Sequence, residues 1–299
     1  MRFLSFAVGN YASFGVVTGD GSVTEGGSVT EGGIVDLGRL FGAELPTLGA
    51  VLRAGELPRA MSLAATTKPT IALGEIRYLP TVPDPEKIIC IGINYGNRNE
   101  EYKDGAEMPR YPSVFMRTRG SLVGHLEPIS NPPESTQLDY EGEIVLVIGK
   151  AGRRIAAADA WSHVAGLSLM NEGSVRDWLR HSKFNVTPGK NFERSGSLGP
   201  WMVTADEIPE AAELHLTTHV NGELRQDDTT ANLIFPFAKL IEYLSSFMRL
   251  TPGDLIATGT PTGAGARFDP PKYLRDRDTV EIHVPEIGTL SNVVVDEST

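Results

Sequence analysis

The chain has 299 residues, 40% of them hydrophobic, one cysteine and a formal net charge of −11. The length suits one large domain or a large domain with a small companion, and the apolar fraction is enough for a sizeable core. The acidic balance speaks against a nucleic-acid partner, which needs a basic face, but leaves room for an anionic small substrate, because a few Arg and Lys reverse the sign inside a pocket. With Cys90 alone there is no internal disulfide and no cysteine zinc site, and Cys90 reads as a small buried hydrophobe in a strand.

In chain order, residues 1–20 read as two short strands, RFLSFAV and SFGVVTG. Polar interruptions at Asn10, Tyr11 and Ser13, and no small-residue cleavage site, argue against a signal peptide. No run approaches the roughly 20 apolar residues of a membrane span, so no membrane association and a cytoplasmic location are expected. The hexapeptide SVTEGG occurs at Ser22–Gly27 and again at Ser28–Gly33, a lengthened hairpin tip before the strand IVDLG. Residues 45–66 carry a helical pattern. The Pro-rich stretch 67–86 marks a domain edge, placed after Tyr78, which gives a small N-terminal α/β domain (1–78) and a catalytic domain (79–299). Beyond it short apolar runs dominate: KIICIGINY, EIVLVIGK, HVAGLSLMN and DTVEIHV. Helices are expected around Ser174–His181 and Ile234–Ser246. The fold class is therefore mostly β (α+β).

The acidic cluster Asp139-Tyr140-Glu141-Gly142-Glu143 leads into the apolar run Ile144–Ile148. In a strand, Glu141 and Glu143 share a face, and a bound cation would remove their repulsion. A lone E-x-E is more often a solvated strand face; the buried character of the following run shifts that balance. Glu172, at the end of another apolar strand, supplies a third carboxylate. Carboxylates without nearby His or Cys point to a hard, oxygen-ligated ion, Mg²⁺ before Mn²⁺ or Ca²⁺.

From about residue 80 onward the chain resembles the fumarylacetoacetate hydrolase (FAH) family. The resemblance is carried, in order, by KIICIGINY (Lys87–Tyr95), LDYEGEIVLVIGK (Leu138–Lys150), NEGSVRD (Asn171–Asp177), GKNFERSGSLGPW (Gly189–Trp201), VNGELRQ (Val220–Gln226) with Thr230, LTPGDLIATGTPTGAG (Leu250–Gly265) and IGTLSN (Ile287–Asn292). It implies an FAH-type mixed β-sandwich roll with a metal site at one open end, in a homodimer. By position it places Glu141, Glu143 and Glu172 on the metal ligands and Lys190 on the active-site lysine. It likewise places Gln226 on a substrate-facing glutamine and Thr260 on a contact to the substrate's carboxylate; Tyr95 joins the substrate-binding candidates. A 2-oxo or 1,3-dicarbonyl acid chelates Mg²⁺ through two oxygens, so the metal would act as a Lewis acid, with the Lys190 cation adding stabilisation where charge develops.

Three positions depart from the family pattern. Hydrolytic members carry G-x-N-Y-x-x-H-A-x-E, whose His and Glu position and deprotonate water; here Glu101 keeps the acidic position and Arg98 replaces the His. Arginine is no base near neutral pH, so Arg98 is either a solvated partner of Glu101 or a clamp for a substrate carboxylate. Glu172 stands for an Asp ligand, followed by Gly173, whose backbone freedom would accommodate the extra methylene, and Glu193 stands for an Asp. His125 and His181 are the histidines to examine as replacements.

The leading reading is a metal-dependent hydrolase that cleaves a C–C bond in an acylpyruvate-like or other β-dicarbonyl oxo-acid, in aromatic or sugar-acid catabolism. A decarboxylase or enol–keto isomerase of an unsaturated 2-oxo dicarboxylate stands beside it, since that chemistry needs no water-activating His. A non-catalytic ligand-binding member is the third reading, opposed by the intact Glu141, Glu143, Lys190 and Thr260.

Overall fold

The computed structural model describes residues 1–19, 32–96, 109–181 and 185–298. Arg98, Glu101 and the SVTEGG copies up to position 31 lie outside the described residues.

The N-terminal stretch forms β1 (Arg2–Val8), β2 (Tyr11–Thr18), β3 (Gly33–Asp36), β4 (Ile71–Ala72) and β5 (Arg77–Tyr78), with helices α1 (Leu37–Phe41), α2 (Leu48–Ala54) and α3 (Leu57–Thr66) between β3 and β4. The 45–66 pattern thus resolves into two helices. Thr47 caps α2 by accepting from the Ala50 N–H (3.0 Å), and Gly55 ends it in the left-handed conformation. Next come β6 (Ile88–Gly92), β7 (Ser113–Arg117), β8 (Leu122–Val123), β9 (Ile129–Asn131), β10 (Leu138–Asp139), β11 (Gly142–Ile148), β12 (Val164–Asn171) and β13 (Ser174–Val175). After helix α4 (Thr187–Lys190) follow β14 (Gly196–Thr204), β15 (His215–Val220) and β16 (Glu223–Thr229), then helix α5 (Phe237–Phe247), β17 (Leu255–Ala257), β18 (Thr279–Val284) and β19 (Gly288–Asp296).

A large mixed sheet runs β4-β3-β2-β1-β14-β12-β11-β17-β6-β7, with β5 added to β1 and β8 to β14. A second sheet runs β16-β15-β18-β19-β9, and β10 pairs with β13 in a separate ribbon. The strand β11 shows why the apolar runs become central strands. All its residues are buried, and because side chains alternate, Ile144, Leu146 and Ile148 enter one core while Val145 and Val147 enter another. The first core holds the inner face of the second sheet (Leu216, Ile282, Leu290) and Leu240, Ile241 and Leu244 of α5; the second holds Leu48, Val51, Leu52 and Ala60 of the N-terminal helices. The expected division after Tyr78 falls between β5 and β6, and the large sheet crosses it through the β1–β14 pairing of Arg2 with Val203 and Phe3 with Met202.

The helix expected over Ser174–His181 is not formed. Ser174 and Val175 are strand, pairing with Asp139 and Leu138, and only a 3₁₀ turn, Asp177–Arg180, follows. This ribbon is what closes the functional site.

Candidate active site

The site is assembled at one end of the β11–β12 pair. Gly142 pairs with Asn171, so the residues just beyond, Glu141 and Glu172, face each other; the Glu172 N–H donates to the Glu141 carbonyl (2.8 Å) and the Glu141 N–H to Asn171 Oδ1 (3.0 Å). Glu143, two residues along, lies on the same face, as the alternation predicts. All three carboxylates are buried, with one oxygen from each within 4.8 Å of the others. The chain after β17 supplies the fourth wall: the Gly259 N–H donates to Glu143 Oε2 (2.8 Å).

Cations offset the buried charge. The Lys190 ammonium, delivered by the end of α4, contacts both Glu141 Oε2 and Glu172 Oε2. Arg117 Nη1 donates to Glu172 Oε1 (2.7 Å) and Arg176 Nη2 to Glu141 Oε1 (2.8 Å). Arg176 Nε is held by Asp139 Oδ2 (2.7 Å), and Asp139 also accepts the Gly265 and Ala266 N–H groups, which ties the Gly-rich loop to the site. Burial works against the Lys190 charge, yet Glu141 and Glu172 outweigh it and hold its pKa above the ordinary value. Glu172 is pushed up by burial despite Lys190 and Arg117. Glu143 is pushed well above the usual carboxylate range, by burial first and then by Glu172 and Glu141. Among the described residues its carboxylate accepts one hydrogen bond and has no ion-pair partner. A buried all-oxygen set with one uncompensated carboxylate fits a hard divalent cation.

A cavity of about 730 Å³ opens over this cluster. Its charged end is Glu141, Glu143, Glu172, Lys190, Arg117 and Arg176, with Thr260 beside them; Ile91, Val114, Phe115, Met116, Leu179 and Val186 form an apolar wall. Gln226 and Tyr95 do not line it. The Gln226 amide accepts the Gly142 N–H (2.9 Å) and donates to Thr260 Oγ1 (2.8 Å) and the Pro261 carbonyl (3.0 Å), so it stands behind the wall and holds Thr260. Tyr95 is fully buried beside Leu233. None of the six histidines lines the cavity. His125 accepts the Ser291 N–H (3.1 Å) and meets Tyr78 edge-on, and His181 packs on Trp178 at 4.2 Å. His163 pairs with the Lys150 carbonyl, His215 with Asp227 and His283 with Thr289, while His219 sits opposite Glu281. Cys90 is fully buried on β6, its thiol pushed up by burial.

Gly173 plays a different part from the one expected. A Cβ there would lie 1.9 Å from the Ser195 carbonyl, so close backbone approach, not a left-handed conformation, requires glycine. Neither Arg117 nor Arg176 stands out in the sequence as a site residue. Arg176 had a signal, its place inside NEGSVRD; Arg117, at the end of the strand SVFMR, had none.

The family model "Fumarylacetoacetate (FAA) hydrolase C-terminal" matches residues 87–295. The chain is 42% identical over 226 residues to the oxaloacetate tautomerase YisK of Bacillus subtilis, covering 75% of this chain and 74% of the relative. It is 38% identical over 233 residues to the mitochondrial oxaloacetate tautomerase FAHD2B of Bos taurus, covering 77% and 73%. Among solved structures, it superposes on 5-carboxymethyl-2-hydroxymuconate delta-isomerase from Mycobacterium smegmatis with a TM-score of 0.76 at 28% identity, over all of both chains. Maleylpyruvate hydrolase from Sphingobium sp. SYK-6, solved with manganese(II) and pyruvate, gives 0.78 at 27% identity, also over all of both chains. The extent of these matches, over the same segments that build the carboxylate cluster, shows that the chain belongs to the fumarylacetoacetate hydrolase family.

Proposed function

We propose that this protein is a divalent-metal-dependent keto–enol tautomerase of a small 2-oxo dicarboxylate, with oxaloacetate the first substrate to try. The observation that carries the reading is a cavity whose charged end holds three carboxylates, one lysine and two arginines, while none of the six histidines lines it. Moving a proton between carbon and oxygen needs stabilisation of an enolate and a proton acceptor, but no imidazole to activate water. The two tautomerase relatives support the same choice over the hydrolase reading.

Glu141, Glu143 and Glu172 would hold Mg²⁺ or Mn²⁺, which supplies Lewis acidity to the substrate's oxo and carboxylate oxygens. Lys190 places its positive charge where negative charge develops as the proton leaves the carbon beside the oxo group. Because the Thr260 hydroxyl accepts from Gln226, its own hydrogen is left to donate to a substrate carboxylate. Arg98 is assigned to the far carboxylate and Glu101 to the proton at carbon. Gln226 holds Thr260 from behind the wall, and Tyr95 is buried outside the cavity. The working unit is proposed to be a homodimer, to be checked by light scattering.

A second reading, hydrolysis of an acylpyruvate, is favoured by the apolar wall, which is larger than a four-carbon diacid requires, and by the likeness to maleylpyruvate hydrolase. One preparation tests both. Oxaloacetate enol decay is followed by ultraviolet absorbance, and acylpyruvate cleavage by pyruvate release, each with Mg²⁺, Mn²⁺ or EDTA. Tautomerisation that needs the metal and exceeds cleavage is the expected result. Faster cleavage, or undiminished tautomerisation in EDTA, would overturn the proposal.

A further inference from the structure

Arg117 ends β7, the last strand of the large sheet, yet its side chain is fully buried. Its five N–H donors meet five acceptors. Nη1 donates to Glu172 Oε1 and to the Gly173 carbonyl, both at 2.7 Å. Nη2 donates to Ser195 Oγ (3.1 Å) and the Ser121 carbonyl (3.4 Å), and Nε to Ser121 Oγ (3.1 Å). A guanidinium whose donors are all engaged with protein has none left for a substrate, although it borders the cavity. What it does instead is set the carboxylate beside it.

We infer that Arg117 is a positioning residue for the cation site: it fixes the rotation of Glu172 so that one oxygen is held at the back and the other is presented to Glu141 and Glu143. The contacts divide accordingly, with Oε1 on Arg117 and Oε2 on Lys190 at the cluster. Arg117 also grips the backbone carrying Glu172, through the Gly173 carbonyl, and Ser195, whose carbonyl packs against Gly173 too closely for any Cβ. Three separate segments, 121, 172–173 and 195, are thereby referred to one planar group. A lysine at this position would keep the charge but not the fork, since its three donors radiate from one atom. Partners that orient a ligand from behind typically change metal affinity by about 10- to 100-fold when removed.

The inference rests on the proposed assignment of Glu172 as a ligand, and the test separates the two. Mn²⁺ affinity is measured from the electron paramagnetic resonance signal of free Mn²⁺ for the wild type, Glu141→Gln, Arg117→Lys and Ser195→Ala, with melting curves recorded without metal. Arg117→Lys is expected to weaken Mn²⁺ about tenfold or more. Turnover should recover at high Mn²⁺ and substrate KM at saturating Mn²⁺ should stay within about twofold, whereas a fold-wide defect would not be rescued by metal. Ser195→Ala removes one anchor without disturbing a charge and should weaken Mn²⁺ about threefold, so the role of Arg117 can still be refuted if Arg117→Lys does not fold. Wild-type Mn²⁺ affinity in the folded variants, beside a weakened Glu141→Gln, overturns the role of Arg117. Wild-type affinity in Glu141→Gln as well overturns the cation site itself.

Discussion

Glu143 and Arg98 decide most at the scale of single residues. Of the three clustered carboxylates, Glu143 is the one without an ion-pair partner among the described residues, and its charge is opposed by burial and by its two neighbours. Glu143→Gln removes that charge in nearly the same volume. The metal-free protein should become more stable, by about 1 kcal/mol or more, since an uncompensated buried charge costs several kcal/mol and the buried glutamine amide gives back part of the gain. Mn²⁺ affinity should fall at the same time. Urea denaturation without metal and a Mn²⁺ titration check the pair of effects, and a variant that lost stability instead would show Glu143 to be compensated in the wild type. Arg98→Ala tests the proposed clamp. A charge-assisted contact is worth about 1.5–3 kcal/mol, so a dianionic 2-oxo acid should lose roughly tenfold or more in kcat/KM relative to a monoanionic one. Equal, slight losses on both substrates would mean a solvated side chain.

Two elements meet at Lys87 and Asp254, where β6 runs parallel to β17. Lys87 Nζ bonds Asp254 Oδ2 (3.0 Å) and Thr251 Oγ1 (3.1 Å), and Asp254 is fully buried. Burial lowers the lysine's pKa, but Asp254 and Glu86 outweigh it and leave it raised above about 10.5. A raised lysine stabilises the fold fully below its unfolded value and loses that contribution as pH climbs through the folded one. Lys87→Met should therefore cost about 1–3 kcal/mol near pH 8, limited because Asp254 keeps the N–H groups of Lys87 and Thr251. The difference from wild type should shrink as pH rises beyond 10.5, read from urea midpoints across that range. Asn94 links elements in the same way nearer the site. Its amide donates to the Thr258 (2.8 Å) and Phe235 (3.1 Å) carbonyls and accepts the Phe235 N–H (2.7 Å), which sets the segment carrying Gly259 and Thr260.

At the scale of the whole molecule, one sheet joins the N-terminal strands to those that carry the site, and both cores draw on each side of residue 78. Cooperative unfolding follows from shared burial. Trp201, on β14 beside β1, reports the junction, and its indole N–H donates to the Ile287 carbonyl (2.6 Å). A single urea transition, with tryptophan fluorescence and far-ultraviolet circular dichroism coincident, is expected. Two steps, the first combining a partial loss of circular dichroism with a change in Trp201 fluorescence as β1 leaves β14, would mark residues 1–78 as a unit that unfolds by itself. No described helix is long and apolar enough to cross a membrane.

Local pattern was sufficient for what depends on local pattern. The strands β1, β2, β6, β11, β12 and β18 and the helix α5 were legible because apolar runs and their spacing are properties of neighbouring residues. The carboxylates were legible because alternation puts Glu141 and Glu143 on one face and an apolar strand delivers Glu172. Tertiary structure alone decided the rest. Ser174–His181 has a helical pattern, but pairing Ser174 with Asp139 and Val175 with Leu138 competes with it, and the ribbon wins where Arg176 also reaches Asp139 and Glu141. Gln226 became a support for Thr260 because its amide faces a strand 84 positions earlier and a loop 34 later. Arg117 finds Glu172 across 55 residues, and nothing near it in the chain shows that a charged strand end will be buried. Burial and pairing of charge depend on which distant segments arrive together, and that is settled by sheet register rather than by any short stretch of sequence.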